Sequence, residues 1–257
     1  MKSLKLIITL LICGTMASVA FAGNVTGTVT YEGDAPARKA LTINTQEQHC
    51  IDATKGAKSE ELVISKGKGI QNVVVYMRLR GTQELEIPKD KKKLTVDQKD
   101  CRYLPHVIAV PVGAIVDVTS SDPVAHNVHS YAAKNEAKNF IVKKKGEIIP
   151  YTITAAEAIK LTCDVHTWMS GYIVAVNSNY YTVTGQKDDK DKWIHPDDYE
   201  KSSDKGKYTL KDVPAGRARV VAWHEKLGTA FKNVEVPATG DISVDFKSTD
   251  FKLPKKK

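Results

Sequence analysis

The sequence lacks the motifs of several large classes of redox proteins and enzymes. It has no Cys-x-x-Cys-His segment for covalent haem and none of the His-x-His pairs that multicopper oxidases use. No set of Ser, His and Asp and no pair of carboxylates stands in a recognisable hydrolase motif. The sequence therefore predicts a protein that is not an enzyme.

Acidic residues are in the minority, with 30 Asp and Glu against 38 Lys and Arg, which gives the 257-residue chain a formal net charge of +8. The lysines are scattered, apart from three short runs, and aromatic residues do not alternate with them. This pattern predicts no nucleic-acid partner. It leaves two interpretations of the charge, a solvated surface and a docking surface for an acidic partner.

Long apolar runs are missing too, except for one near the start. The segment MKSLK is followed by an apolar run that ends at Ala20-Phe21-Ala22, which is typical of a secretory signal peptide with a small-x-small cleavage site. We expect residues 1–22 to be removed on export, which predicts a periplasmic or otherwise extracytoplasmic protein with no transmembrane segment. An uncleaved anchor and a lipid attached to Cys13 are the alternatives.

Helical periodicity is absent from the remaining sequence, which consists of short β-branched runs broken by Gly, Pro, Asn and Asp. This pattern predicts an all-β protein. The predicted strands lie at 25–31, 41–44, 62–65, 72–79, 106–110, 114–119, 151–154, 159–163 and 172–176, and then at 180–183, 207–210, 217–225, 233–236 and 242–246. We also expect a helical turn at 155–158, an exposed loop at 186–205 and a frayed basic tail at 251–257.

Residues 163–169, with the sequence Cys-Asp-Val-His-Thr-Trp-Met, fall between two predicted strands. They supply a thiolate from Cys163, an imidazole from His166 and a thioether from Met169. A blue-copper site uses one thiolate and two imidazoles in a plane, with a weak axial thioether. One tight loop would thus deliver three of the four ligands, and strand parity turns Cys163 inward.

The second imidazole has to come from another loop. His126 is the candidate, because it lies in a predicted turn at 121–129 that follows the strand at 114–119. In an antiparallel sandwich, two such loops can meet at one end. Asn127 would then tie the two loops together through side-chain hydrogen bonds, and His129 would face the other way.

The segment Pro-Val-Ala-His-Asn-Val-His, together with Cys-x-x-His-x-x-Met, resembles the copper-binding loops of plastocyanins and especially of amicyanins. The resemblance covers residues 105–176. It implies a Greek-key cupredoxin-like sandwich at 23–177, including an N-terminal extension, and one-electron transfer with a redox protein such as a cytochrome or a dehydrogenase. The ligands of its single mononuclear copper ion would be His126, Cys163, His166 and Met169. We expect His166, on the loop, to be the exposed ligand and hence the electron port.

The strand pattern restarts after residue 177. The region around 207–225 is similar to the carboxypeptidase regulatory-like domains that are appended to bacterial plastocyanin-like proteins. This second resemblance implies a smaller β-sandwich, of the immunoglobulin or transthyretin type, at 178–250. The charged loop at 186–205 departs from that compact pattern.

Three cysteines remain after export, and the predicted metal site uses one of them. We interpret Cys50 and Cys101 as a structural disulfide, which is common outside the cytoplasm. A second metal site, using Cys50 with His49 or Cys101 with His106, is the alternative. Three functional hypotheses stay open: an electron carrier, a copper carrier, chaperone or sensor without redox turnover, and a metal-free scaffold of two β-sandwiches.

Overall fold

The computed structural model describes residues 22–188, 190 and 192–254. The predicted signal peptide lies outside the described residues except for Ala22, and so do the last three residues of the predicted basic tail. Within the described ranges, no helix is long and apolar enough to cross a membrane.

Short strands joined by turns and loops make up most of the described chain, with two six-residue helices, α1 (Gln48–Ala53) and α2 (Pro196–Lys201). The strands, in chain order, are β1 (Ala22–Thr30), β2 (Val74–Leu79), β3 (Thr95–Lys99), β4 (Arg102–Leu104), β5 (Val107–Pro111), β6 (Ile115–Ser120), β7 (His126–Tyr131), β8 (Asn139–Val142), β9 (Ile148–Thr152), β10 (Ala158–Thr162), β11 (Ser170–Val176), β12 (Tyr181–Val183), β13 (Lys207–Pro214), β14 (Gly216–His224), β15 (Gly228–Val236), β16 (Ile242–Ser243) and β17 (Phe246–Lys247). The predicted all-β sandwich class is confirmed.

Two sheets enclose a first hydrophobic cluster. One has the strand order β5-β11-β10-β7-β8 and the other β4-β3-β6-β9. Their inward side chains include Val96, Val118, Val128, Leu161 and Ile173, which are at most 1 % exposed. Because β7 and β10 are neighbours in the five-stranded sheet, the segment that precedes β7 and the loop that follows β10 lie at the same end of the sandwich.

Two further sheets enclose a second cluster. Their strand orders are β13-β1-β16, with β17 also paired to β1, and β12-β2-β14-β15. Val25, Val75, Val220 and Phe246 are fully buried between them. The first two strands of the described chain therefore belong to the same hydrophobic cluster as its last five.

This pairing corrects one expectation from the sequence. The sequence-based division puts β1 and β2 in an N-terminal extension of the first domain, whereas the structure pairs them with C-terminal strands. Alternation of apolar residues identifies a strand but not its neighbour in the sheet, so pairing between distant segments is invisible to local periodicity. The limits of the two predicted domains, at residues 177 and 178, stay a prediction.

Several local elements also differ from the sequence prediction. The helical turn expected at 155–158 is wrong, since Ala158 already belongs to β10 and the segment before it is held by hydrogen bonds to Asn135. The expected strand at 62–65 contributes only an isolated bridge at Ile64, and the one expected at 41–44 forms neither a strand nor a bridge. β3, β4, β7 and β8 went unpredicted. Each of these segments is short, and its state is decided by its neighbours rather than by its own sequence.

The loop predicted at 186–205 is not exposed throughout. It contains α2, whose N-terminus is capped by the His195 side chain and whose Tyr199 is fully buried. Gly185 lies against the Tyr199 ring with a φ of +65°, and a Cβ at this position would collide with the ring. Glycine is therefore needed at this point for the loop to close over the second cluster.

A third cluster joins the two pairs of sheets. Val74 of β2 packs there against Val107 of β5 and Val174 of β11. The rings of Tyr172 and Trp223 meet edge to face, with centroids 5.2 Å apart. The outer face of the β12-β2-β14-β15 sheet is thus partly covered by the sheet that carries the predicted metal loop.

A buried ion pair lies at one end of this junction. His106 Nε2 is 2.5 Å from Glu225 Oε1, and its Nδ1 is 3.8 Å from Glu60 Oε2. Burial lowers the pKa of His106, but the charge of Glu225 and its hydrogen bond outweigh burial and raise it to about 9. Burial, together with the charge of His106, lowers the pKa of the neighbouring His224 to about 3.

These two shifts predict a maximum of stability near pH 6.5. The raised pKa of His106 stabilises the fold fully below about 6.5, and this stabilisation is lost as the pH rises through about 9. The lowered pKa of His224 stabilises the fold above about 6.5, and this contribution is lost as the pH falls towards 3. Urea unfolding across this range should show the free energy of unfolding fall on both sides of the maximum.

The variant His106→Gln should flatten the alkaline side of that profile, and His195→Gln, a half-exposed histidine, should leave it unchanged. An alkaline slope that persists in His106→Gln would show that another group is responsible.

Candidate metal centre

Three side chains from two segments converge at one end of the first sandwich. His126 Nδ1 lies 2.9 Å from His166 Nδ1, and His166 Nδ1 lies 3.8 Å from Cys163 Sγ. The three donor atoms are all within 4.8 Å of one another, and each residue is at most 2 % exposed. The structure thus brings together three of the four predicted ligands.

The loop between β10 and β11 positions two of these side chains and Met169. Its backbone closes tightly, because the Met169 amide donates to the His166 carbonyl at 2.9 Å and the Cys163 amide donates to the Met169 carbonyl at 3.4 Å. Met169 is 1 % exposed and belongs to the same hydrophobic cluster as Cys163. The inward direction predicted for Cys163 from strand parity agrees with this burial.

His126 stands at the start of β7, not within a turn as predicted. β7 pairs with β10 so that His129 lies opposite Thr162, the residue before Cys163. This register brings His126 to the ligand loop. His129 is one-third exposed and pairs with Asp164, so it lies outside the site.

The donor set fits a copper ion. Bonds from a metal to imidazole nitrogen are about 2.0 Å long and bonds to thiolate sulfur about 2.3 Å, so the donors of one ion lie no more than about 4 to 4.5 Å apart. The His126–His166 and His166–Cys163 distances satisfy this limit, and all three donor atoms lie within 4.8 Å of one another, close to it. One thiolate, two imidazoles and a nearby thioether are the ligand types of a blue-copper site.

The Asp122 carboxylate orients His126. Its Oδ2 lies 2.8 Å from His126 Nε2 and also accepts the Cys101 amide at 2.9 Å. Its Oδ1 accepts the Asp100 amide at 2.7 Å and lies 3.0 Å from His49 Nε2. A proton held on His126 Nε2 leaves the lone pair on Nδ1, the atom that faces His166 and Cys163.

Electrostatics keeps Asp122 ionised. Burial raises the pKa of Asp122, but hydrogen bonds from His126, Cys101, His49 and Asp100 outweigh burial and lower it to about 2. Burial lowers the pKa of His126, whereas its hydrogen bonds to Asp122 and Cys163 raise it to about 9. The carboxylate therefore makes the His126 ring a stronger ligand for a metal ion.

The surroundings of Cys163 favour its thiolate, which is the form of cysteine that binds a metal ion. The amides of Asn127 and His166 point at it, at 3.4 and 3.3 Å. Burial raises the pKa of Cys163, but hydrogen bonds from His126 and from these amides lower it below its ordinary value. The pKa of His166 is lowered by burial and by the charge of His126, which favours the neutral, ligating form of its ring.

Asn127 ties the two segments together, as predicted. Its side-chain oxygen accepts the Asp164 amide at 3.1 Å, and its Nδ2 donates to Asn139 Oδ1 at 2.5 Å and to the Phe140 carbonyl at 3.3 Å. These bonds link the ligand loop to β7 and β8. They fix the separation of the two histidines before any ion binds.

The expectation that His166 is the exposed ligand is wrong, because His166 is only 1 % exposed. The disulfide between Cys50 of α1 and Cys101 lies over it, with Cys50 Sγ 3.9 Å from His166 Nε2. Trp168 donates from Nε1 to the Cys101 carbonyl at 3.1 Å, and Thr167 donates to Asn44 Oδ1 at 3.2 Å. The predicted N-terminal extension therefore covers the ligand loop.

The predicted disulfide is present, which removes the alternative of a second metal site based on either cysteine. His49, Cys101 and Asp122 do lie together, but the Cys101 sulfur is not a thiolate. Asp122 and its contact His49 are the residues at this site that sequence reasoning missed. The one available signal was the position of His49 next to Cys50, because a disulfide close to the site also places the adjacent residue close to the site.

Comparison with known proteins identifies no family for the chain, since no protein-family model and no curated protein matches it. Solved structures do match. A novel purple cupredoxin from Nitrosopumilus maritimus is 20% identical, covering 32% of this chain and 98% of its own, with a TM-score of 0.29. The oxidized state of an amicyanin mutant is 26% identical, covering 32% and 81%, with a TM-score of 0.30.

A copper-containing nitrite reductase from Thermus scotoductus is 19% identical, covering 38% of this chain and 25% of its own, with a TM-score of 0.30. These solved neighbours are cupredoxin-type proteins, and each overlaps about a third of the chain. The assignment of the metal centre therefore depends on the converging side chains described above.

Replacing the orienting carboxylate should weaken metal binding. Asp122→Asn keeps the volume but loses the charge that holds His126 in place, and loss of such an outer contact costs about 10- to 100-fold in metal affinity. Competition titration with a copper chelator measures this change. The control Asp164→Asn alters an exposed carboxylate beside Cys163 that contacts no ligand side chain, and equal losses in the two variants would contradict the role of Asp122.

Removing the disulfide should open the cover over the site. The link closes a loop of 51 residues, so the mature Cys50→Ser/Cys101→Ser protein should lose about 4 kcal/mol of stability in the chain-entropy treatment. Cys163, the free cysteine among the described residues, should then react at least tenfold faster with a thiol reagent in the metal-free protein. Ile51→Ser, on the exposed side of α1, is the control, and an unchanged rate in the double variant would show that α1 does not limit access.

Proposed function

We propose that this chain is an extracytoplasmic type 1 (blue) copper protein that transfers single electrons. His126, Cys163 and His166 would be the strong ligands of one copper ion, and Met169 the weak one. The observation that carries the proposal is the convergence of two imidazole nitrogens and one thiolate sulfur on a buried point, with donor distances of 2.9 and 3.8 Å.

Copper bound here would supply a one-electron couple between its two oxidation states. The chain contributes geometry and exclusion of water. Asp122 and Asn127 hold the two ligand segments in fixed positions, and the amides aimed at Cys163 Sγ stabilise its negative charge. Rigid ligands suit electron transfer, because little has to move when the charge at the site changes.

Burial of the site favours electron transfer over copper delivery. A copper carrier, chaperone or sensor would use the same ligands but would have to take up or release the ion. Here α1 and the Cys50–Cys101 disulfide lie over His166, so an ion that leaves past His166 would have to displace them. An electron can cross such a thin layer, and the cover therefore favours an electron carrier.

The proposed partner is a redox protein such as a cytochrome or a dehydrogenase. Val165 lies in the ligand loop between Cys163 and His166 and is 59 % exposed. His49, one-third exposed, connects to His126 through Asp122. A partner would therefore approach the site over Val165 and His49 rather than over the edge of His166. The signal-peptide pattern and the disulfide both favour a location outside the cytoplasm.

The test is an absorption spectrum of the mature protein, from residue 23 onwards, after addition of Cu(II). We expect an intense visible thiolate-to-copper band that is lost in Cys163→Ser, because the band requires the thiolate. Met169→Leu should keep the band, since the axial ligand is the weak one. A band in both the parent and Cys163→Ser, or in neither, would contradict the ligand assignment.

Electron exchange with a small cytochrome, followed by stopped flow, separates the two copper functions. An electron carrier should exchange electrons while the band remains. Rapid transfer of the copper to a metal-free acceptor, with slow electron exchange, would favour a copper carrier.

A further inference from the structure

The β12-β2-β14-β15 sheet has an outer face that the first sandwich covers only in part. Tyr76 and Trp223 of this face pack in the third cluster. Towards the other ends of β2 and β14, the same face continues beyond that interface into a groove of about 600 Å³. The groove is therefore a continuation of a sheet face whose other half is already an interface.

Four arginines line this part of the face, which we call the arginine groove; they are Arg78, Arg80, Arg217 and Arg219. Only six of the 38 basic residues in the chain are arginines, and four of these six arginines lie in this one groove. A merely solvated basic surface would use the lysines that predominate elsewhere. Arginine instead provides a planar fork that binds carboxylate or phosphate through two parallel hydrogen bonds.

The arginines face one another across the sheet. Arg219 of β14 lies directly opposite Arg78 of β2, and like charges in this position destabilise a sheet. Glu235 is the only acidic residue among the described residues that line the groove, and it pairs with Arg217 at 3.4 Å. The fold thus tolerates an excess of positive charge that an anionic ligand would relieve.

One of the guanidinium groups is already oriented. Arg219 donates from Nε to Asn233 Oδ1 at 2.9 Å, and its guanidinium lies over the Phe231 ring, 4.3 Å from the centroid. Phe231 is itself 56 % exposed. Two contacts hold the fork in place before a ligand arrives, which reduces the entropy lost on binding.

We propose that the arginine groove binds an extended acidic segment of a partner protein, with carboxylates at every second residue. Neighbouring strands are about 4.8 Å apart, and alternate residues along a strand are about 6.7 Å apart. An extended acidic chain repeats its side chains at the same interval of about 6.7 Å. Successive carboxylates would therefore meet first Arg78 and Arg219, which are paired across β2 and β14, and then Arg217 of β14 and Arg80, which directly follows β2.

The groove lies away from the metal centre and does not depend on it. Arg217 and Arg219 are near the Gly216 end of β14, whereas His224, at the opposite end of the strand, precedes Glu225, which pairs with His106. The bound segment would anchor a partner without covering the ligand loop. A failed test of the groove would leave the copper proposal unchanged.

The experiment uses two fluorescent peptides of the same composition, one with glutamate and threonine in alternation and one with the glutamates in a block. The mature protein should bind the alternating peptide at least threefold more tightly in fluorescence anisotropy. Arg78→Gln/Arg219→Gln should weaken this binding at least tenfold, and Arg78→Lys/Arg219→Lys should restore it only in part, because lysine lacks the fork. The second pair, Arg80→Gln/Arg217→Gln, gives an independent test of the same groove.

Lys143→Gln/Lys145→Gln is the matched control, since it removes the same charge from exposed positions outside the groove. It should change the affinity less than twofold. An equal loss in the control, or equal affinity for the two peptides, would overturn the proposal in favour of unspecific charge attraction. Vesicles of phosphatidylglycerol are the last probe, and binding to these vesicles without binding to either peptide would overturn it in favour of a membrane surface.

Discussion

The hydrogen bonds of the Asp122 carboxylate are the interaction on which the metal centre depends. Four donors meet there: the ring of His126, the ring of His49, and the amides of Asp100 and Cys101. A buried carboxylate is costly unless it is fully paired, so the site forms only when all of these segments are in place. Because Cys101 also carries the disulfide to α1, the same carboxylate connects the ligand His126 with the cover that lies over His166. The orientation of His126 and the burial of His166 thus both depend on the Asp122 carboxylate.

The cover changes what the ligand set can do. A copper site with an exposed histidine can exchange electrons and ions by the same face, but here His166 is 1 % exposed and lies under Cys50. A chelator or an acceptor protein would reach His166 only after α1 and the disulfide move. Electron transfer has no such requirement for contact with the ligand itself. The cover therefore supports the proposed electron transfer more than the alternative of copper delivery.

The sequence predicted the ligand loop from its own spacing, and His126 and the disulfide as well, but it missed the contacts that α1 and Asp122 make at the site. The spacing of Cys163, His166 and Met169 predicted one ligand loop, and alternation in β10 predicted the direction of Cys163 correctly. The contribution of α1 and of the segment before it could not be predicted, because His49 contacts Asp122, and Asn44 contacts Thr167, across segments that are far apart in the chain. The same reason explains why β1 and β2 were placed in an N-terminal extension of the first domain. Periodicity shows which face of a strand is buried but not what covers that face.

The chain passes twice between the two hydrophobic clusters, and this path affects how firmly the clusters are joined. It leaves the second cluster after β2, forms the first sandwich, and returns at β12 to pair with β2 itself. Two covalent connections, the third cluster and the His106–Glu225 pair restrict rotation of one part against the other more than a single linker would. The sheet that carries Arg78 and Arg219 is therefore held at a fixed distance from the ligand loop. A partner bound to the proposed arginine groove would reach the proposed metal centre only if the part of the protein between the two kept its shape, and the connections and contacts described above favour this.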